Sequence, residues 1–284
     1  MRPDKVNLEK CTICGLCTEL CDYGVLLINE NKKRLEIYDK NCLECSHCIA
    51  ICPVSALSAK GQYPDKIEDL PVPNKTLAML NKRRSIRKYL DKPVETEKLD
   101  KLADFARYAP TGSNRQGTRV LFVVDKEKRK QVTDALMKFY KKMKKIISIW
   151  PFSLLMYFFV PRKMVKSYKA GLKHMVKKFE DGKDVLFFNS PVIVFVYSLK
   201  HESSTPKDDA CYALYNMVIG AESMGMGTCI NQLSVIAYNK MKKKILKLLG
   251  LPKTARIQAS SSLGYPHYKF KSAAIRQPAK FEIL

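Results

Sequence analysis

The chain has 284 residues, 46% of them hydrophobic, which is enough for two domains with buried cores and is not the composition of a disordered chain. Its 51 Lys and Arg against 27 Asp and Glu leave a formal net charge of +24. No groove-reading motif accompanies that charge, so nucleic acid is not the expected partner; a basic body suits an acidic redox partner or an anionic substrate.

The chain opens Met1-Arg2-Pro3-Asp4-Lys5, without an apolar signal segment, so a cytoplasmic location is expected and a disulfide framework is not. Eight of the ten cysteines then fall into two copies of one pattern. The first copy is Cys11, Cys14, Cys17 and Cys21; the second is Cys42, Cys45, Cys48 and Cys52, followed by Pro53. Three thiolates at i, i+3 and i+6 point at three corners of a [4Fe–4S] cube, and in the bacterial run the fourth cysteine serves the other cluster. Cys11, Cys14, Cys17 and Cys52 are therefore expected to hold one cluster, and Cys42, Cys45, Cys48 and Cys21 the second. A zinc ribbon uses CxxC pairs and does not need the third and fourth cysteine of each group. Over about residues 5–60 the pattern resembles bacterial-type two-cluster ferredoxins. Asp22, not proline, follows Cys21. His47, between cluster cysteines, reads as a surface residue.

Residues 1–63 carry eight basic and eight acidic side chains, so the charge excess lies in the remainder. Each cluster with its four thiolates adds about −2, giving an acidic redox head on a basic body. Residues 64–75, with Pro64, Pro71 and Pro73, read as a short, stiff linker between a domain at 1–63 and one at 76–284. In the body, Leu99, Leu102, Ala103 and Ala106 have helical spacing, ended by Pro110. Val120–Val124 and Val192–Val196 are continuous apolar runs and read as buried strands. The stretch 209–226 is apolar nearly all round and reads as a helix needing cover on every side, including from a second subunit. Met241, Ile245, Leu248 and Leu249 form a further helical stripe, stopped by Gly250 and Pro252. Residues 281–284 read as a strand. No Gly-x-Gly-x-x-Gly turn is present, so no dinucleotide fingerprint is expected.

Three stretches of the body suit a phosphorylated polar cofactor. Arg83-Arg84-Ser85-Ile86-Arg87 offers fork-shaped donors to an anion. Pro110-Thr111-Gly112-Ser113-Asn114-Arg115-Gln116 is rich in small hydroxyl and amide groups, and Leu263-Gly264-Tyr265-Pro266 precedes Arg276 by ten residues. In this order they resemble the nitroreductase family of flavin enzymes, over roughly residues 76–284. The resemblance implies an α+β fold: a two-cluster ferredoxin-like domain followed by an α/β sandwich, with a mixed sheet flanked by helices and FMN at a homodimer interface. It implies that Arg83, Arg84, Ser85, Arg87 and Arg276 surround the FMN phosphate and ribityl chain. It implies that Pro110, Thr111, Gly112, Ser113, Asn114 and Gln116 reach the flavin of the other subunit, and that Cys229, Ile230, Asn231 and Gln232 face the flavin ring. Gly117-Thr118 stands where the family often has Pro-Trp, and Ala274 where a second basic residue is common.

The stretch 136–183 holds 13 basic and two acidic residues around an uncharged run at 146–160. That run is too short to span a bilayer and is interrupted by Pro151. It reads as a lid over the flavin pocket in preference to an interfacial anchor that would put Trp150, Phe158 and Phe159 in lipid. Cys211 and Cys229 read as small buried residues. The function expected is an FMN-dependent iron–sulfur oxidoreductase. It would pass electrons from two [4Fe–4S] clusters to FMN and on to a small electron-poor acceptor such as a nitroaromatic, quinone or enone. An external ferredoxin or flavodoxin is the expected donor, no side chain is assigned as a catalytic acid or base, and the alternative is a module that relays electrons to a protein partner.

Overall fold

The computed structural model describes residues 2–38, 42, 46–64, 75–112, 115–149 and 161–284. They form two compact units: Met1–Arg84 with His267–Leu284, and Ser85–Pro266. Residues 65–74 of the linker expected at 64–75 lie outside the described residues; residues 75–84 and the C-terminal segment His267–Leu284 cluster with the first unit. That segment joins the first unit because Tyr268, Phe270 and Ile275 pack against the cysteine-bearing core of Cys17, Leu26, Cys48, Ile49 and Leu57.

The first unit is an internal repeat. Helix α1 (Leu16–Leu20) and helix α2 (His47–Ile51) each have five residues. Each starts after a left-handed residue, Gly15 at φ 77° and Ser46 at φ 59°, and each ends at an extended cysteine, Cys21 or Cys52. Those cysteines close the helices by donating their N–H groups to Thr18 O and Ile49 O. Strand β1 (Lys5–Val6) pairs antiparallel with β4 (Leu57–Ser58), and β2 (Leu26–Asn29) with β3 (Arg34–Ile37). Helix α3 (Lys75–Lys82) leads to the junction at Arg84. His47, expected at the surface, is buried, with its ring 5.9 Å from that of Phe270.

The second unit is a three-layer sandwich. Its sheet has the order β5 (Thr118–Val123), β6 (Val192–Leu199), β8 (Ala255–Gly264), β7 (Gly227–Ile230). The three strand pairs are antiparallel, and the parallel component of the expected mixed sheet is a single bridge from Ser85 to Thr228. β6 explains the layering. Val192, Val194 and Val196 face one core with helix α4 (Thr96–Arg107) and helix α7 (Pro206–Ser223). Ile193 and Phe195 face the other, with α5 (Lys126–Ser148), α6 (Arg162–Glu180) and α8 (Gln232–Leu249). A strand covered on both faces has to be apolar at successive positions, which is why its sequence does not alternate.

In the basic stretch, α5 and α6 bury apolar stripes (Val132, Leu136 and Tyr140; Val165, Leu172 and Val176). Trp150, Phe158 and Phe159 lie outside the described residues. Among the described residues no helix is long and apolar enough to cross a membrane. The expected strand at 281–284 does not form, and that end is exposed, Phe281 by 78%. Its apolar residues pair with no strand among the described residues, and without a ladder an isolated extended segment has nothing to hold it.

Candidate functional site

Cys11, Cys14, Cys17 and Cys52 line one apolar cavity, closed by Ile28, Leu35, Val54 and Leu57. Burial, and then the proximity of Cys52, Cys11 and Cys14, push the Cys17 thiol up to about 12. Four thiols crowded into an apolar setting are costly to ionise unless a cation takes up their charge. Among the described residues no three His, Cys, Asp or Glu side chains converge tightly enough for one metal ion. Three cysteines at i, i+3 and i+6, with Cys52, around one cavity suit a multi-iron cube. The Ala56 N–H donates to Cys52 Sγ at 3.2 Å, a bond that stabilises a thiolate ligand and tunes a cluster. Of the second set, Cys48 is buried and Cys21 and Cys42 half-buried; Cys45 lies outside the described residues.

The arginine-rich stretch divides between the units. Arg83 is half-buried and Arg276 exposed, both in the first unit. Arg84, expected among the phosphate ligands, is only 2% exposed and its guanidinium is turned inward. It donates to the carbonyls of Asn81, Arg83 and Ser272.

Ser85 and Arg87, in the second unit, run along the outer edge of β7, where the Ile86 N–H donates to Thr228 O at 2.8 Å. Gly227 permits this approach, since a Cβ there would stand 2.3 Å from Ile86 Cγ1. Tyr89 folds the loop back, donating to Ile86 O at 2.8 Å and meeting Ser262 Oγ at 2.7 Å. The Arg87 guanidinium lies 5.9 Å from the Phe188 ring, in a turn where Phe188 and Asn189 are both left-handed. β7 then delivers Cys229 buried, Ile230 exposed, Asn231 buried and Gln232 exposed. Asn231 caps α8 by accepting from the Ser234 N–H, and its amide donates to Leu186 O. Ser85–Arg87 and the 227–232 segment thus meet at one sheet edge, offering hydroxyl, guanidinium and backbone donors suited to a phosphorylated polar ligand.

The second stretch sits elsewhere. The Gly112 N–H donates to Asp209 Oδ1 at 3.0 Å, and the Gln116 N–H to Thr111 Oγ1 at 3.0 Å. Pro110 is exposed and Thr111 half-buried; Ser113 and Asn114 lie outside the described residues. This loop leads into β5, at the opposite edge of the sheet from β7. Three strand spacings separate the edges, about 14 Å. Asp209, which holds this loop, is a residue that the sequence does not single out. Burial opposes its charge, but hydrogen bonds from Ser203, Gly112 and Thr205 outweigh it and hold the carboxyl below its usual range. The available signal is Thr205-Pro206 followed by Asp208 and Asp209 in the first turn, ahead of an apolar run, a helix-start pattern.

Comparison with known proteins agrees with this division. The 4Fe-4S dicluster domain matches residues 10–56, and the nitroreductase family residues 80–265. A nitrobenzene nitroreductase of Ectopseudomonas oleovorans is 25% identical over 205 residues, 66% of this chain and 85% of that protein. A ferredoxin of Pyrobaculum islandicum is 38% identical over 57 residues, 20% of this chain and 52% of its own length. Among solved structures, an FMN-bound nitroreductase of Desulfitobacterium hafniense superposes with a TM-score of 0.56 at 19% identity, covering 74% of this chain and 98% of that one. The chain belongs to the nitroreductase family: it is an FMN-dependent oxidoreductase that carries a 4Fe–4S ferredoxin-type domain ahead of its flavin domain.

Proposed function

We propose that the protein passes electrons from two [4Fe–4S] clusters to FMN and on to a small electron-poor acceptor of nitroaromatic, quinone or enone type. The observation that carries the reading is the ring of four thiols around one cavity in the same chain as a flavin-family sheet edge lined with phosphate donors. When bound, FMN supplies the junction between one-electron and two-electron chemistry. In this reading Arg83, Ser85, Arg87 and Arg276 hold its phosphate and the backbone at 229–232 faces its ring. The name of the Ectopseudomonas relative supports an electron-poor acceptor.

The working protein is a homodimer in this reading. The 110–116 loop and the Ser85–Arg87 edge stand on opposite sides of one sheet, so a pocket that uses both needs a second copy. An uncovered face supports this: Tyr212 and Tyr215 of α7 are exposed by 52% and 41%, and Tyr108, beyond α4, by 74%. In this reading the stretch 136–183 covers the flavin pocket; its residues 150–160 lie outside the described residues, and Tyr140 Oη of α5 donates to Leu233 O, next to Gln232. The experiment is to photoreduce the anaerobic holoprotein and follow reoxidation of flavin and clusters with nitroaromatics, quinones and enones. If none reoxidises it faster than buffer, while an oxidised protein partner does, the small-acceptor reading is wrong.

A further inference from the structure

Arg84 presents an anomaly. It lies between two residues assigned to the flavin phosphate, yet it is only 2% exposed. A guanidinium so buried needs hydrogen-bond partners, and its two terminal nitrogens have them. Here they address two segments far apart in sequence. One nitrogen donates to the carbonyls of Asn81 and Arg83, and another donates to Ser272 O at 2.9 Å. Its face lies 5.9 Å from the Phe270 ring, whose other neighbour is His47 of α2. Ser272 is itself 2% exposed.

The segment so fastened is also held at a second point. Ser46 Oγ, at the left-handed start of α2, donates to Ile275 O at 3.4 Å. Phe270 and Ile275 pack on the core that contains Cys17 and Cys48. Arg276 follows the second point directly. Arg83 is the residue whose carbonyl Arg84 holds.

We propose that Arg84 is a positioning residue for flavin recognition: with Phe270 it straps residues 268–275 onto the ferredoxin-like unit and so fixes where Arg83 and Arg276 present their guanidinium groups to the FMN phosphate. This rests on the phosphate-clamp reading above and adds that phosphate preference depends on two residues that do not touch the phosphate. Lysine cannot replace Arg84, because one ammonium on a flexible stem does not reproduce a planar fork aimed at two backbone segments.

The test is equilibrium binding of FMN and of riboflavin to the full-length, cluster-loaded, flavin-depleted protein under anaerobic conditions, read by quenching of flavin fluorescence. The wild type should bind FMN more tightly than riboflavin. Arg84→Lys and Phe270→Leu should each weaken FMN binding about tenfold or more, with riboflavin affinity changed less than about threefold and iron content unchanged. Lysine at position 84 should therefore fail to preserve FMN affinity although it keeps the charge. A wild type that binds the two flavins equally would remove the clamp reading, and the strap with it. A wild type that prefers FMN, with variants that keep the preference, would leave the clamp standing and overturn the strap. Parallel loss of both flavins would mark Arg84 as a purely structural residue and also overturn it. If Arg84→Lys does not fold, Phe270→Leu, which keeps every Arg84 hydrogen bond, separates the same outcomes.

Discussion

Asp209 offers the sharpest test of how the loop at 110–116 is held. Its carboxylate accepts from Ser203 Oγ at 2.6 Å, Thr205 Oγ1 at 2.7 Å and the Gly112 N–H at 3.0 Å. Hydrogen bonds to a charged group contribute roughly 1.5–3 kcal/mol each and are not additive, so Asp209→Ala should destabilise the loop locally by about 3 kcal/mol. Since about 1.4 kcal/mol is a factor of ten, the Gly112 amide should exchange with solvent about 100-fold faster. Asp209→Asn keeps an oxygen for Gly112 and should cost less. The pH dependence has a definite sign. The folded carboxyl lies below its ordinary value of 3.8, so its stabilisation is present above that pH and is lost as pH falls through the lower folded value. The wild-type loop should therefore loosen in acid, and the Asn variant should show a flatter profile. Site-resolved hydrogen exchange measures both effects. Unchanged Gly112 exchange in Asp209→Ala would show that the loop is held by something other than this carboxylate.

The assembled protein should contain about eight irons and eight acid-labile sulfides per chain, and Cys17→Ser should lose the first cluster; four irons, or zinc, on elemental assay would contradict the ligand sets. Arg87→Ala should weaken FMN binding tens-fold through loss of a charged hydrogen bond worth roughly 1.5–3 kcal/mol, and calorimetric titration with unchanged affinity would remove Arg87 from the site. Charge at the uncovered face, Tyr212→Glu with Tyr215→Glu, should yield monomers in sedimentation that have lost most of their flavin. NADH and NADPH should bleach the flavin more slowly than reduced ferredoxin in anaerobic stopped flow, and the ferredoxin rate should fall with salt as the basic body is screened. Fast bleaching by NADPH would move electron entry to the flavin itself.

How much is legible in the sequence follows from the kind of signal each element carries. The cysteine pattern fixes chemistry by spacing alone, and β6 announces itself because both its faces are covered. β8 does not, although it runs for ten residues, because Ser260, Ser261 and Ser262 look like loop residues. They are fully buried, with their hydroxyls absorbed locally: Ser260 meets Ser234 and the Asn231 carbonyl, Ser262 meets Tyr89, and Ser261 bonds to the Ser262 carbonyl. Arg84 is illegible for a related reason. It is chemically identical to Arg83, and only its bond to Ser272, 188 positions away, turns it inward. The C-terminal segment gives no sign of its docking place, since Tyr268, Phe270 and Ile275 show no periodicity that names a partner.

The two halves of the chain place opposite demands on charge. Around Cys17, burial and three neighbouring thiols push ionisation up to about 12, so the ligand set is reluctant to lose protons on its own. A thiolate cluster is formed only if iron supplies the compensating charge, which couples cluster loading to the folding of the first unit. Once loaded, that unit carries added negative charge, about −2 per cluster. The excess of basic residues lies in the remainder of the chain. There Ser85 and Arg87, proposed to hold the phosphate, are fixed by backbone pairing to β7. The flavin edge is thus preorganised by the sheet, whereas the cluster site depends on the metal it binds. Chelation of iron should accordingly disturb the first unit's secondary structure first and leave the β5-β6-β8-β7 sheet intact, a difference that hydrogen exchange on the two units would resolve.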